Sequence, residues 1–182
     1  MEPVLAAVLA DDVGALSRLP VDLVLESDLL VEEVPHWLYV GDTPLHLAAA
    51  AQLTASALAL LDRGAGPDVR NRRGAAPLHY ACDLRPNNPR WDPTAQRAVM
   101  ELLVRHGADV NAADKDGVTP LHRAVRSRSP VAVASLLAAG ADVAAVTRRG
   151  STPLDLTRTS TGAGGTAGTE TLRLEVVQLL TS

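Results

Sequence analysis

The chain contains no phenylalanine and only four aromatic residues, Trp37, Tyr39, Tyr80 and Trp91. Its core must therefore be assembled from alanine, leucine and valine, which suits closely packed helices better than a β-sandwich. A single cysteine, Cys82, excludes an internal disulfide and any multi-cysteine metal site. Cys82 reads as a small buried core residue, and a reducing compartment, hence a cytoplasmic location, is expected. No apolar run approaches the ~20 residues of a membrane span. The opening "MEPVLAAVLADD" has an acidic flank and no basic segment, so it does not read as a secretion signal. Lysine is almost absent: Lys115 is the only one, and every other basic residue is arginine. With abundant alanine, glycine and leucine, that bias points to a GC-rich, bacterial genome.

What is present is enough apolar matter, 47% of 182 residues, for one domain with a real core. The net charge of −4 conceals an asymmetry. Residues 1–62 hold ten acids against one base, Arg18, while residues 63–182 hold eleven acids against sixteen bases.

The chain also repeats itself. "GDTPLHLA", "GAAPLHYA", "GVTPLHRA" and "GSTPLDLT" begin at Gly41, Gly74, Gly117 and Gly150, with separations of 33, 43 and 33 residues. "GAGPDV", "GADVNA" and "GADVAA" begin at Gly64, Gly107 and Gly140. Thr43, Thr119 and Thr152 stand where a helix N-cap belongs, and Pro44, Pro77, Pro120 and Pro153 follow at the first helical position, where a missing N–H costs nothing. Gly64, Gly107 and Gly140 stand just past a second helix, where a left-handed residue is needed. Each unit thus reads as finger, short helix, turn and longer helix, and only stacking on neighbours buries its apolar face.

These units resemble ankyrin repeats: "TPLH" followed by Ala, and "GADVNAADKDG", lie close to that family's pattern. The resemblance implies an all-α fold, an ankyrin-type α-solenoid of helix pairs with short β-hairpin or turn fingers. It implies four repeats, near 41–73, 74–116, 117–149 and 150–182. Residues 1–40 depart from the pattern and are expected to form an irregular helical N-terminal cap and an acidic connector. The family binds protein partners, usually on a concave face of fingers and first helices. His46, His79 and His122 share one repeat position, too far apart to share a metal. The resemblance implies that each imidazole bonds the finger backbone between repeats, with Asp155 replacing it in the last unit.

Counted from cap to closing aliphatic, repeats two and four are each ten residues longer than repeats one and three. The extra segments are "LRPNNPRWDP", residues 84–93, and "TSTGAGGTAG", residues 159–168, both between first and second helix. Two readings stay open. Surface loops lengthen cheaply, so both are tolerated drift. Alternatively, loops flanking repeat three meet over it as a clasp, with Arg85, Arg90, Arg126, Arg128 and Arg158 as an anion-seeking floor along the insert edge and Trp91 as an aromatic anchor. "GAGGTAG" lacks the lysine of a phosphate-binding loop and follows a helix, so it reads as a linker.

The expected function is non-catalytic binding of a protein partner. The contacts are assigned to finger residues Arg70, Arg72, Arg73, Asp114, Lys115, Asp116, Arg148 and Arg149, with Tyr80 and Arg123 on first helices. A small-anion receptor built on the clasp is the alternative, and a dedicated partner for one cognate protein, using the acidic residues 1–40, is a third. Trp37 and Tyr39 are expected to cover the end of the core. No cofactor or metal is expected, and no nucleophile–base–orienter set suggests an enzyme. The basic finger tips raise nucleic acid, but the net charge and acidic N-terminal third argue against it.

Overall fold

A computed structural model describes residues 2–21, 23–31, 36–159 and 167–181. Helices pair along the chain: α1 (Glu2–Leu9) with α2 (Val13–Leu16), α3 (Pro44–Ala50) with α4 (Thr54–Asp62), α5 (Pro77–Ala81) with α6 (Pro93–Arg105), α7 (Pro120–Ser127) with α8 (Pro130–Ala138), and α9 (Pro153–Thr159) with α10 (Ala167–Thr181). The first members pack on one another in one layer, the second members in another. The α1/α2 pair continues both layers, α1 on α3 and α2 on α4. Between it and α3 lies a feature the sequence reading left out, a two-stranded antiparallel sheet. Strand β1 (Leu29–Val31) pairs with β2 (His36–Leu38), Leu30 opposite Trp37.

Helix starts and stops follow local chemistry. Three of the first helices begin at a proline after an extended cap residue, Thr43, Ala76 or Thr119. Three second helices end in the same paired bonds. Gly64, Gly107 and Gly140 donate to Leu61, Val104 and Leu137, and the following alanines 65, 108 and 141 reach back to Leu60, Leu103 and Leu136. This closure needs a residue at positive φ, and the three glycines adopt φ of 88 to 94°. The core is aliphatic, running from Val4, Val8 and Leu16 through Leu45, Leu60, Leu78, Leu103 and Leu121 to Leu136 and Val176. Cys82 lies fully buried within it, and burial pushes its thiol well above the usual range.

The units are tied by imidazoles. In each of His46, His79 and His122, Nδ1 accepts the N–H of the cap residue three positions earlier, at 3.0 to 3.2 Å. An acceptor Nδ1 leaves the ring proton on Nε2, which donates to the next finger's carbonyl: Ala75, Val118 or Ser151, at 3.2, 3.0 and 3.1 Å. Asp155 takes the first half of this task, accepting from the Thr152 N–H at 2.9 Å. A carboxylate is an acceptor only, so it cannot donate onward to a carbonyl as the imidazoles do.

The fingers add a backbone ladder. The N–H groups of Arg72, Lys115 and Arg148 donate to the carbonyls of Val40, Arg73 and Asp116 in the preceding finger. Contact is so close that a Cβ on Gly74 would sit 2.9 Å from the Lys115 nitrogen, and one on Gly117 3.0 Å from that of Arg148. Gly150 has the same positive φ but open space around it.

Two predictions follow from these contacts. Gly150→Ala should cost about 1 kcal/mol through its left-handed backbone alone. Gly74→Ala should cost at least about 1 kcal/mol more, because its methyl group forces two fingers apart. Urea midpoints measure the difference, and equal midpoints would mean that the fingers part freely. The second concerns pH. Burial, then the nearby Arg123 charge, lowers the His79 ring from 6.5 to about 4. The unfolded chain thus takes up a proton near pH 6.5 that the folded chain refuses until about pH 4. Stability should be full above pH 6.5 and fall by about 3 kcal/mol towards pH 4. His79→Gln should make that decline shallower in urea titrations; an unchanged slope would place its origin elsewhere.

Candidate functional site

Finger stems are held by short side chains. Asn71 Oδ1 accepts the N–H groups of Arg73 and Ala75, and Asp114 Oδ1 those of Asp116 and Val118. These bonds aim the next residues at the first-helix layer. Several expected contact residues prove to be partly committed. Arg70 bonds the carbonyls of Gly74 and Ala113, and Arg72 pairs with Asp28. Arg72 and Arg73 both lie over the Tyr39 ring, at 5.6 and 4.8 Å. Lys115, Arg148 and Arg149 are exposed.

Tyr80 requires a correction. Expected on the binding surface, it is 1% exposed. Its hydroxyl donates to Asp42 at 2.6 Å and accepts from the Asn71 amide at 2.9 Å. Asp42 is itself fully buried and also accepts from Asn71 Nδ2 and the Tyr39 N–H. Burial, with Asp42 beside it, pushes the Tyr80 phenol far above its usual range. Tyr80 therefore supports the surface from beneath. The same repeat position holds Leu47 in the first unit, Arg123 in the third and Leu156 in the fourth.

Above this network a groove of about 310 Å³ runs between fingers and first helices. Arg73, Asp114, Asp116 and Val118 line it from the fingers, Asp83, Arg123, Arg126 and Ser127 from the helix layer, with Tyr39 and Arg85 also on its walls. Arg123 is 11% exposed and sits 2.6 Å from Asp83 and 3.7 Å from Asp114. Burial works against its charge, but these carboxylates outweigh it and hold the guanidinium more firmly charged than usual. Its Nε is buried without a partner among the described residues. Arg126, with a side chain 55% exposed, lies 3.9 Å from Asp83. Asp83 escaped the sequence reading, although a signal exists: it holds the repeat position that Arg126 holds one unit later. A larger hollow, about 460 Å³ between α6 and α8, is apolar apart from Glu101, Arg105 and Ser135, and lacks such converging charges.

The first insert does not stand off as a free loop. Four of its unit's extra residues lengthen the second helix, since α6 has 13 residues where α4 and α8 have 9. Asp92 caps α6 with Pro93 behind it. Buried Gln96 pins the rest: its Oε1 accepts from Trp91 Nε1 at 2.9 Å and Ser129 Oγ at 2.7 Å, and its Nε2 donates to Ala81 and Leu84. Trp91 is half-buried, so the aromatic anchor expected for an outside ligand instead fastens the insert to the body. Of the six residues assigned to the insert edge, Arg85 and Arg126 line the groove. Arg90 and Arg158 are exposed elsewhere, and Arg128 occupies a left-handed turn within electrostatic reach of Glu170. They do not form one floor. Residues 160–166 and the side chains of 159–169 lie outside the described residues, so the clasp's second arm and the glycine run do as well.

Trp37 also departs from expectation. It is 51% exposed, while Leu38, the next residue on β2, is fully buried and covers the core with Val31 and Leu25. Among the described residues no group of three His, Cys, Asp or Glu side chains is placed to hold a metal, and no helix is long and apolar enough to cross a membrane.

This arrangement of stacked helix pairs, imidazole bridges and laddered fingers defines an ankyrin-type solenoid. The model of the ankyrin repeat matches residues 40–72 and 73–115, and that of ankyrin repeats in many copies matches residues 103–156. The matches extend over well more than half of the sequence, and the chain belongs to the ankyrin-repeat family. It is similar to human (Homo sapiens) B-cell lymphoma 3 protein, 35% identical over 99 residues, covering 54% of this chain and 20% of that protein. It is also similar to human neurogenic locus notch homolog protein 4, 38% identical over 107 residues, covering 58% and 5%. Human SH3 and multiple ankyrin repeat domains protein 2 is 35% identical over 96 residues, covering 52% and 5%. The chain thus spans a fifth or less of the length of these relatives.

The role of Gln96 is open to test. Gln96→Leu leaves the Trp91 indole, the Ser129 hydroxyl and two carbonyls without their partner, which should cost about 2–3 kcal/mol. In a Trp37→Phe background the remaining tryptophan emission should shift to the red as Trp91 loosens. Unshifted emission would mean that the insert is held by other contacts.

Proposed function

We propose that the chain is a non-catalytic protein-binding module whose contact surface is the groove between the fingers and the first-helix layer. The observation that carries this reading is the convergence of four arginines and three aspartates, from two fingers, the first-helix layer and the first insert, on one open groove. The chain's only thiol is buried with its pKa raised, which does not suit it to act as a nucleophile. In this reading residues 41–182 form four repeats in the order given above, residues 1–40 form the helical cap and connector, and the module works in the cytoplasm. Arg73 and Asp116 are its central contact residues, with Asp114 and Arg123 paired to each other on its walls. Lys115, Arg148 and Arg149 widen the surface at the finger tips, with Arg70 and Arg72 positioning the finger between them.

A small-anion receptor draws on the same Arg85 and Arg126, without the second insert as its lid. Binding of such an anion raises the melting temperature with concentration, and a protein module shows no such rise.

The test is affinity capture from source cells with three baits: the native chain, an Arg73→Glu/Asp116→Arg double variant, and a Glu101→Lys/Arg105→Glu variant on the α6–α8 side. All three should melt alike, since these side chains are exposed or lie at the groove wall. The partner should be lost from the groove variant and kept by the other. Retention by the groove variant, with loss from the α6–α8 variant, would move the interface to the opposite layer.

A further inference from the structure

We infer that the groove takes an acidic, extended segment of the partner, seating its carboxylates against Arg85, Arg126 and Arg73. The inference rests on the protein-binding reading above and names the chemistry of what is bound. It follows from which charges in the groove are already spent. Asp114 accepts two backbone N–H groups through one oxygen and faces Arg123 with the other. Asp83 bonds Arg123 at 2.6 Å and is the nearest carboxylate to Arg126, at 3.9 Å. These two acids are therefore occupied in neutralising Arg123 and holding the finger.

Arg85 has no carboxylate partner among the described residues, Arg73 has only the Tyr39 ring face, and Arg126 has a contact too long for a hydrogen bond. All three guanidiniums are exposed, and a visitor that supplies acceptors completes them.

The groove also selects the kind of anion. Arg73, Arg85 and Arg126 enter it from a finger, the insert and a first helix, whereas a compact phosphate concentrates its charge at one point. A peptide brings carboxylates one at a time, spaced along the chain, together with backbone N–H groups that Asp116 can accept. Asp116 is the one groove acid with no ion pair among the described residues. Tyr39 and Val118 offer limited apolar contact between the charges, so the fitting segment is acidic with small apolar residues interspersed.

The test uses the intact chain and two fluorescein-labelled Gly/Ser-rich peptides, one carrying four glutamates and its counterpart four glutamines. Fluorescence anisotropy should show the glutamate peptide binding at least ten-fold more tightly, with affinity falling as sodium chloride rises. Arg85→Glu and Arg126→Glu should each weaken it ten-fold or more, and Arg105→Glu on the far side should leave it unchanged. Equal binding of both peptides would overturn the inference. So would displacement by sodium phosphate where chloride of equal ionic strength has no effect, since the site would then belong to a small anion. If the peptides fail to discriminate while the captured partner still depends on Arg73 and Asp116, the acidic-segment inference falls and the protein-binding reading stands. If that dependence is also absent, both fall.

Discussion

Every junction between successive repeats turns on a neutral imidazole placed at the third position of a first helix. One nitrogen closes the start of its own helix and the other holds the finger of the next unit. The ring does two jobs that are usually separate, a capping bond within a unit and a register bond between units. It does both only while uncharged, because protonation would turn the accepting nitrogen into a second donor facing an N–H. Burial enforces the neutral form at His79 and His122, and at both the charge of a neighbouring arginine adds to it. In a core with almost no aromatic rings, aliphatic packing supplies driving force but little directional information. The imidazoles, with the backbone ladder of the fingers, decide how far apart and at what rotation the units sit.

A second seam runs along the opposite edge, where first helix turns into second. Among the described residues, Asp11, Gln52 and Arg128 are the non-glycine residues at positive φ, and each occupies this turn. Asp11 accepts from the Ser56 N–H at the start of α4, and Gln52 from the Asp92 N–H at the start of α6. Arg128 lies near Glu170 in the first turn of α10. The left-handed residue throws its side chain forward onto the next unit, which answers for the roughly 1 kcal/mol that such a conformation costs a non-glycine residue. The insert-bearing second repeat lacks this device and uses Gln96 in its place, bonding Ser129 at the start of α8. The insert is thus spliced into a structural seam and does not merely decorate it.

These two seams explain what was readable in the sequence. Thr43, Pro44, Gly64 and their equivalents act through local backbone geometry, so their meaning travels with the motif. The histidines were legible for the same reason. Side chains whose fate depends on the neighbouring unit were not. Tyr80, Leu47 and Arg123 share one repeat position; Leu47 and Tyr80 are both buried there, the phenol bonded to Asp42 and Asn71 of two adjoining fingers, while Arg123 keeps an edge in the groove. Trp91 looked like an exposed anchor because nothing in "LRPNNPRWDP" reveals that Gln96 waits one helical turn later. Trp37 and Leu38 exchanged roles because strands of three residues carry too short an alternation to show which face is buried. The charged groove was half legible. Its finger residues came from the repeat, whereas Asp83 emerges only when opposite charges at one repeat position are compared between adjacent units.

The groove gathers opposite charges on one surface of a repeat scaffold without new architecture. Arg123 replaces what is leucine or tyrosine in neighbouring units, and a guanidinium at that half-buried depth is tolerable only with carboxylates beside it. Asp83 and Asp114 meet that requirement, and in doing so they withdraw from the surface as free anions. The cations that remain, Arg73, Arg85 and Arg126, are then only partly compensated, by Asp116 and by the 3.9 Å approach of Asp83 to Arg126, although the groove counts almost as many acids as bases. Net composition therefore misstates what a partner would meet. The exposed potential is set by which charges are already paired inside the protein, and here the pairing leaves arginine outermost.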